Sequence, residues 1–417
     1  MEFPRKKYLD LLISKKNNGL IKVVTGMRRC GKSYLLFRLF RQHLLLSGIP
    51  EKNIISLQLD DLENLSLHNP NELYKYVMNK ITPSENYYVL LDEIQLVDNF
   101  ETLLNSFLHK ENIDCYVTGS NSKFLSSDII TEFRGRGDEI RVLPLTFSEY
   151  HQFKNGNKQD ELSDYLLYGG MPFCVLLPTE EQKIKYLTDL FKLVYSQDLI
   201  ERHNIRSSDD FNELSRVIAS GIGSLTNPTK LSNAFLSNKK VKISSETISS
   251  YLSYMEDAFL INKAQRYNIK GKKYISTPYK YYYTDLGIRN AIVGFRQFEK
   301  THLMENLIYN ELIYRGFQVD VGVIQKDILQ KNGNGTTVKY EVDFVANKGF
   351  KRYYIQSAYA MENEEKQQQE EFPLDNIEDN FDKVIITMNG GIKYYENDKG
   401  YKLIDLCEFL TNYNLIM

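Results

Sequence analysis

The chain has 417 residues, with 52 Lys and Arg against 54 Asp and Glu, so its formal net charge of −2 offers no global basic field for nucleic acid. Its length predicts about two to four domains, and no apolar run approaches bilayer length or forms a signal-peptide h-region behind Met1-Glu2-Phe3-Pro4. Cys30, Cys115, Cys174 and Cys407 are scattered without C-x-x-C pairs or metal-ligand spacing, which argues against a disulfide framework and for a reducing, cytoplasmic setting.

Tyr8 to Lys15 read as a polar helix ending at Asn17-Asn18-Gly19. The run Ile21 to Thr25 reads as a strand, and Tyr34, Leu35, Leu36, Leu39 and Phe40 begin a helical pattern. Between them stand Gly26, Met27, Arg28, Arg29, Cys30, Gly31, Lys32 and Ser33, which spell G-x-x-x-x-G-K-S. A strand, this loop and a helix make a phosphate cradle, with backbone N–H groups facing inward and the helix N-terminus aimed at the anion. Gly26 to Tyr34 are therefore the expected nucleotide-binding residues. Lys32 would reach the β- and γ-phosphates of ATP, and Ser33 would ligate Mg²⁺. Arg28 and Arg29 either add charge near the phosphates or point to solvent.

Asn53 to Leu59 reads as a second strand, closed by Asp60-Asp61, and Asn71 to Ile81 as a helix. Tyr87 to Leu91 is a buried-type strand ending in Asp92 and Glu93. An acid at the end of such a strand, downstream of the loop, is a Walker B: Asp92 would hold Mg²⁺, and Glu93 would act as general base. Phe100 to His109 is helical, and Cys115 to Thr118 is another strand running into Gly119-Ser120-Asn121. Asn121 could sense the γ-phosphate or close an Asx-turn. Strands alternating with helices predict an α/β fold, a P-loop parallel sheet core over 1–145, with ligand groups at the strands' carboxyl ends. Arg136, beside Gly135 and Gly137, suits either an arginine finger, in cis or in trans, or a surface ion pair.

Residues 146–207 read as a helical lid: Phe147 to Phe153, Asp160 to Leu167 and Glu181 to Asp198, interrupted by Gly169-Gly170-Met171-Pro172. Residues 208–295 read as a winged helix-turn-helix, with helices at Phe211–Ile222, Lys230–Leu236 and from Ser244 on, then a hairpin over Ile261 to Thr284. Basic residues lie on the loop (Lys239, Lys240, Lys242) and at the hairpin tip (Lys270, Lys272, Lys273), so a DNA contact there would hold phosphates rather than read bases.

Residues 296–417 read as a nuclease-like α/β C-terminal domain. Helix acid, strand Asp and strand E-x-K is the layout of a PD-(D/E)xK site, and Glu305 and Asp343 fill two places. The third place holds Gln356 and Ala358, a poor Mg²⁺ ligand and no ammonium, with Glu341 and Glu311 as the remaining acids. The expectation is a degenerate site.

The chain resembles AAA+-like ATPases that carry a C-terminal DUF4143 region. The resemblance rests on Ile21 to Ser33, Leu91-Asp92-Glu93-Ile94-Gln95, Thr118-Gly119-Ser120-Asn121-Ser122, Gly135-Arg136, Tyr168-Gly169-Gly170-Met171-Pro172 and Glu341-Val342-Asp343-Phe344. It implies an ATP-binding core, a winged-helix segment and an often degenerate nuclease-like fold. It also implies ATP and Mg²⁺ at Gly31, Lys32, Ser33 and Asp92, with Glu93 as base. The expected function is a Mg²⁺-dependent ATPase that couples hydrolysis to a C-terminal partner-binding region. The alternatives are a nucleotide-gated DNA- or protein-binding switch and an ATP-dependent nuclease. A homo-oligomer is compatible with an Arg136 acting in trans.

Overall fold

A computed structural model describes residues 3–119, 136–239, 242–329, 335–361, 363–388 and 394–416. The chain divides into two units, residues 1–144 with 257–259, and residues 145–256 with 260–417.

The first unit is a parallel sheet with helices. In chain order its elements are α1 (Lys6–Ser14), β1 (Ile21–Gly26), a π-helical stretch Tyr34–Phe40 running into α2 (Arg41–Leu46), β2 (Ile54–Gln58), α3 (Pro70–Met78), β3 (Tyr87–Asp92), α4 (Phe100–Leu108), β4 (Ile113–Thr118) and β5 (Gly137–Val142). All neighbours in the order β2-β3-β4-β1-β5 pair in parallel. Every residue of β1 and β3 is buried, as expected of strands covered on both faces. On one side Leu73, Val77, Phe100, Leu104 and Phe107 pack onto Val23, Val89, Leu91 and Val117. The polar Lys22 inside β1 is fully buried and ion-paired to Asp114 of β4, whose other oxygen takes the Tyr116 hydroxyl at 2.9 Å. α3 starts where Asn69 caps the N–H groups of Asn71 and Glu72 and Pro70 fills the first turn.

The second unit is a layer of helices and a mixed sheet: α5 (Phe147–Lys154), α6 (Lys158–Tyr168), α7 (Pro172–Leu176), α8 (Glu180–Asp189), a π-helical stretch Leu190–Ser196, α9 (Gln197–Arg202), α10 (Ser208–Ser220), α11 (Pro228–Lys239) and α12 (Ser245–Asp257). Then come β6 (Ile261–Asn268), β7 (Lys273–Tyr283), α13 (Leu286–Ile292), α14 (Lys300–Tyr314), β8 (Gln318–Leu329), β9 (Gly335–Lys348), β10 (Lys351–Ala358), α15 (Glu364–Asp375), β11 (Asp382–Thr387), β12 (Tyr394–Glu396), β13 (Lys402–Asp405) and α16 (Leu406–Thr411). The eight strands run β12-β13-β11-β10-β9-β8-β6-β7.

The hairpin expected as a wing is thus not an appendage. β6 pairs in parallel with β8, Arg266 opposite Val321, so the hairpin forms one edge of the C-terminal sheet. The lid boundary at residue 207 and the wing boundary at residue 295 both fall inside this one unit. The Gly169-Gly170 pair has a packing reason. Asp285 caps α13, and its carboxylate also accepts from the Gly170 N–H at 2.8 Å. A Cβ on Gly169 would lie 2.4 Å from that carboxylate, so only glycine fits.

Candidate functional site

The carboxyl ends of β1, β3 and β4 lie on one edge of the parallel sheet, because all three strands run the same way. Gly26 ends β1 at φ 136°, and a Cβ there would sit 2.1 Å from the Val142 carbonyl oxygen. The loop therefore leaves the strand through a space with no room for a side chain. Arg29 and Gly31 also take positive φ, 62° and 99°, which turns the backbone into the next helix. The Cys30 thiol is buried, with its Sγ 3.4 Å from the Val142 carbonyl oxygen, and Met27 is buried beneath the loop. Lys32 is 5 % exposed and donates to the Gly26 and Met27 carbonyls, each at 3.0 Å. Arg28 is half-buried and Arg29 is exposed.

Asp92, 3 % exposed, accepts hydrogen bonds from the hydroxyls of Thr118 and Ser33. Burial pushes its carboxyl up, aided by the nearby Glu93 and Asp60 charges, while the two hydroxyls pull it down. Thr118 is fully buried and does two things at once: it donates to Asp92 and accepts from the Glu93 N–H at 3.1 Å. Glu93 sits in the left-handed region at φ 51°, where the chain turns sharply out of β3. Its carboxylate accepts from the Gln95 amide.

These residues fit a nucleoside triphosphate with Mg²⁺. The glycine-only gap at Gly26 is a backbone cradle, Lys32 lies in its wall, and Ser33 with Asp92 is a hard-oxygen donor pair suited to Mg²⁺. A cation there would also offset the burial that disfavours ionised Asp92.

The structure brings Gly26, Lys32, Ser33, Asp92 and Glu93 to the same sheet edge. It does not bring Arg136. The Arg136 carbonyl accepts from the Ile21 N–H at 3.0 Å, and β5 pairs with β1 from Ile21–Gly137 up to Gly26–Val142. Arg136 is exposed at the amino end of the sheet, and the length of β1, at about 3.3 Å per residue, puts it about 16 Å from Gly26. An arginine side chain does not span that distance, so a finger in cis is ruled out. Asn121 lies outside the described residues. Thr118 is the residue whose role the sequence did not disclose. Its signal was position alone, at the end of the strand lying between β1 and β3.

In the second unit Glu305 of α14 and Asp343 of β9 do converge, and they meet an unexpected partner. Lys280 of β7, 4 % exposed, lies 2.9 Å from Glu305, 2.8 Å from Glu341 and 4.0 Å from Asp343. The Tyr282 hydroxyl donates to Glu305 at 2.6 Å, and the Ser357 N–H donates to Asp343 at 2.8 Å. Burial opposes the Lys280 charge, but Glu305, Asp343 and Glu341 outweigh it and raise its pKa. Burial, with Glu305 beside it, pushes the Asp343 carboxyl up. The ammonium that Ala358 cannot supply thus comes from another strand. Gln356 bonds within the cluster: its amide oxygen accepts from the Asp343 N–H at 3.4 Å, and its nitrogen donates to Glu370 at 3.2 Å. Glu311 is away from this cluster, bonded to Arg315 at 2.8 Å. At the hairpin tip Lys270 lies 3.9 Å from Glu378, while Lys272 and Lys273 are exposed.

Residues 18–151 match the AAA domain family. An uncharacterized protein of Haemophilus influenzae is 33% identical over 414 residues, spanning 97% of this chain and 98% of that protein. The chain belongs to the same family as this Haemophilus protein, and its residues 18–151 form an AAA domain. An uncharacterized protein of Methanocaldococcus jannaschii is 31% identical over 416 residues, spanning 93% of this chain and 87% of its own. Where the resemblance implied a DUF4143 region, residues 159–299 match a different domain of unknown function, DUF8612. Among solved structures, Cdc6p from Pyrobaculum aerophilum aligns with 73% of this chain and 96% of its own at 11% identity and a TM-score of 0.31. No helix among the described residues is long and apolar enough to cross a membrane.

Proposed function

We propose that the first unit hydrolyses ATP with Mg²⁺ and that turnover drives a change in a partner-binding second unit. The observation that carries this reading is the Thr118 hydroxyl, which ties the Asp92 carboxylate and the Glu93 backbone together beside the loop. The backbone N–H groups of Gly26–Ser33 would cradle the phosphates, and Lys32 would exchange its bonds to loop carbonyls for phosphate oxygens. Ser33 and Asp92 would hold Mg²⁺, which when bound neutralises phosphate charge. Glu93, held by Gln95, would take the proton of the attacking water. Asn121 is proposed as the sensor of the γ-phosphate, and Arg136 as a group that serves only the nucleotide of a second copy.

The test is ATP turnover in the wild type and in Glu93→Gln. General-base loss should lower kcat by about 100-fold or more with nucleotide affinity retained; equal rates in the two proteins would defeat the proposal.

A second reading, a nucleotide-gated binding switch, is favoured over nuclease activity by the Lys280 cluster. Its own ammonium already compensates Glu305, Glu341 and Asp343, and Gln356 brings no charge. The hairpin-tip lysines Lys270, Lys272 and Lys273 are the proposed DNA contacts of such a switch. Binding of a DNA duplex that is identical with ATP, with ADP and in Lys32→Ala would count against it.

A further inference from the structure

The second unit contains a cavity of about 780 Å³ between the π-helical stretch Leu190–Ser196, α10 and the end of α13. Its volume falls in the range of small-molecule sites, roughly 300–1,000 Å³. Its charge is one-sided. Lys192, Arg216 and Arg296 line it, and no Asp or Glu does among the described residues. Arg216 has one acid nearby, Glu213 at 3.7 Å, one turn away on the same helix. Among the described residues Lys192 and Arg296 have no ion-pair partner.

A fourth cation stands behind the wall. Arg289 is fully buried, and its Nε donates to the Ala219 carbonyl at 2.7 Å while its Nη1 donates to the Gln297 carbonyl at 2.7 Å. Those two carbonyls adjoin or belong to lining residues, Ser220 and Gln297. Among the described residues the Arg289 Nη2 has no hydrogen-bond partner and no carboxylate bonds this guanidinium; Glu299 reaches it only through space. A buried cation so poorly compensated adds positive potential to the cavity it backs.

The polar lining adds an amide donor. The Ser196 hydroxyl donates to the Asn212 side-chain carbonyl at 2.6 Å, which leaves the Asn212 amide N–H groups to donate elsewhere. Phe191 and Ile292 supply an apolar flank.

We propose that this cavity is a binding site for a phosphorylated small molecule of nucleotide size. Its phosphates would lie among Lys192, Arg216 and Arg296, and its apolar moiety against Phe191 and Ile292. Guanidinium groups suit this task because their fork matches phosphate oxygens two at a time. Every lining residue falls within the DUF8612 match, so the site gives that segment a chemical role. It is separate from the phosphate loop of the first unit and stands whether or not that loop hydrolyses ATP.

The probe is ADP, titrated calorimetrically into the full chain carrying Lys32→Ala, which silences the phosphate loop. Saturable binding at one equivalent per chain is expected, weakening as salt is added. Adding Lys192→Gln and Arg296→Gln, both exposed side chains, should weaken it by about tenfold or more with the melting temperature unchanged. The conservative Arg296→Lys should lose less than Arg296→Gln. Binding that ignores the double substitution would overturn the proposal, as would no ADP binding in the Lys32→Ala chain. A single-stranded oligonucleotide that binds through these residues while ADP does not would also overturn it, since the occupant would then be a nucleic acid.

Discussion

Replacing Thr118 with Val removes one hydroxyl and keeps the shape of the side chain. Two interactions go with it, the donation to Asp92 and the acceptance from the Glu93 N–H at 3.1 Å. A hydrogen bond to a charged group contributes about 1.5–3 kcal/mol, and stranding a buried donor costs about 1–3 kcal/mol. Since the Glu93 N–H is only partly buried, a net destabilisation of about 2–4 kcal/mol is expected for the first unit. The effect on catalysis has a separate origin. Glu93 holds φ 51°, a conformation that costs a non-glycine residue about 1–2 kcal/mol, and its N–H bond to Thr118 helps keep it there. Released, the Glu93 peptide can relax and carry the carboxylate away. A misplacement worth about 1.4–2.8 kcal/mol lowers kcat by about 10- to 100-fold. Thr118→Ser keeps the hydroxyl and should recover most of the activity. The assay is steady-state ATP turnover, paired with urea denaturation to separate folding from chemistry. Wild-type kcat in Thr118→Val, or a Thr118→Ser protein as impaired as Thr118→Val, would refute the bridging role.

Gly26→Ala should abolish nucleotide binding and cost several kcal/mol, because its Cβ would meet the Val142 carbonyl at 2.1 Å; Gly48→Ala, with φ 84° and nothing within 4 Å, should cost only about 1 kcal/mol in urea denaturation. Lys280→Met strands Glu305, Glu341 and Asp343 and should destabilise the second unit by about 3–5 kcal/mol near neutral pH. The Lys280 pKa is raised on folding, so its contribution is fully present below about pH 10 and is lost only at higher pH. A Lys280→Met protein of wild-type stability at pH 7 would contradict this account. Burial pushes the Asp285 carboxyl up from 3.8 to about 6 despite its three backbone N–H partners. The folded state therefore favours protonated Asp285, and that stability, present below about pH 4, is lost as the pH rises to about 6, a change of about 3 kcal/mol. Asp285→Asn should flatten the urea midpoint across this window, and an unchanged pH slope would disprove the assignment.

The first unit was legible because its signals are local. Each strand is a short apolar run, each functional residue follows its strand directly, and parallel direction does the rest. By that same rule Arg136 could have been set aside, for it precedes its strand and so belongs at the amino end. Its glycine neighbours suggested exposure, which is right, but exposure at the wrong edge. The π-helical start at Tyr34–Phe40 left no mark in the apolar spacing, which predicts only a helix. In the second unit the decisive contacts are non-local. Residues 261–283 carry every mark of a free hairpin, and nothing nearby says that β6 will pair with Val321 in β8. Lys280 shows the same limit. It is the lone charge in Tyr279-Lys280-Tyr281-Tyr282-Tyr283, a hint that it faces something buried. What it faces comes from α14 and β9, so the acidic partners could be identified from sequence while their cation could not.

The two acidic clusters face the same electrostatic problem and resolve it in opposite ways. Asp92 is buried beside two further acids, and its hydrogen-bond partners Thr118 and Ser33 are hydroxyls, which bond the carboxylate without cancelling its charge. On the proposed reading, a cation arriving with the nucleotide would lower the energy of that site, and its occupancy would be felt at Glu93 through Thr118. Glu305, Glu341 and Asp343 instead share an ammonium built into the sheet, and the raised Asp343 carboxyl lessens the remaining excess of negative charge. An incoming divalent cation would have to part Lys280, 4 % exposed, from its carboxylate partners and leave its charge buried and uncompensated. The proposed cation-dependent chemistry therefore belongs at the loop Gly26–Ser33, while the second cluster holds β7, α14 and β9 together.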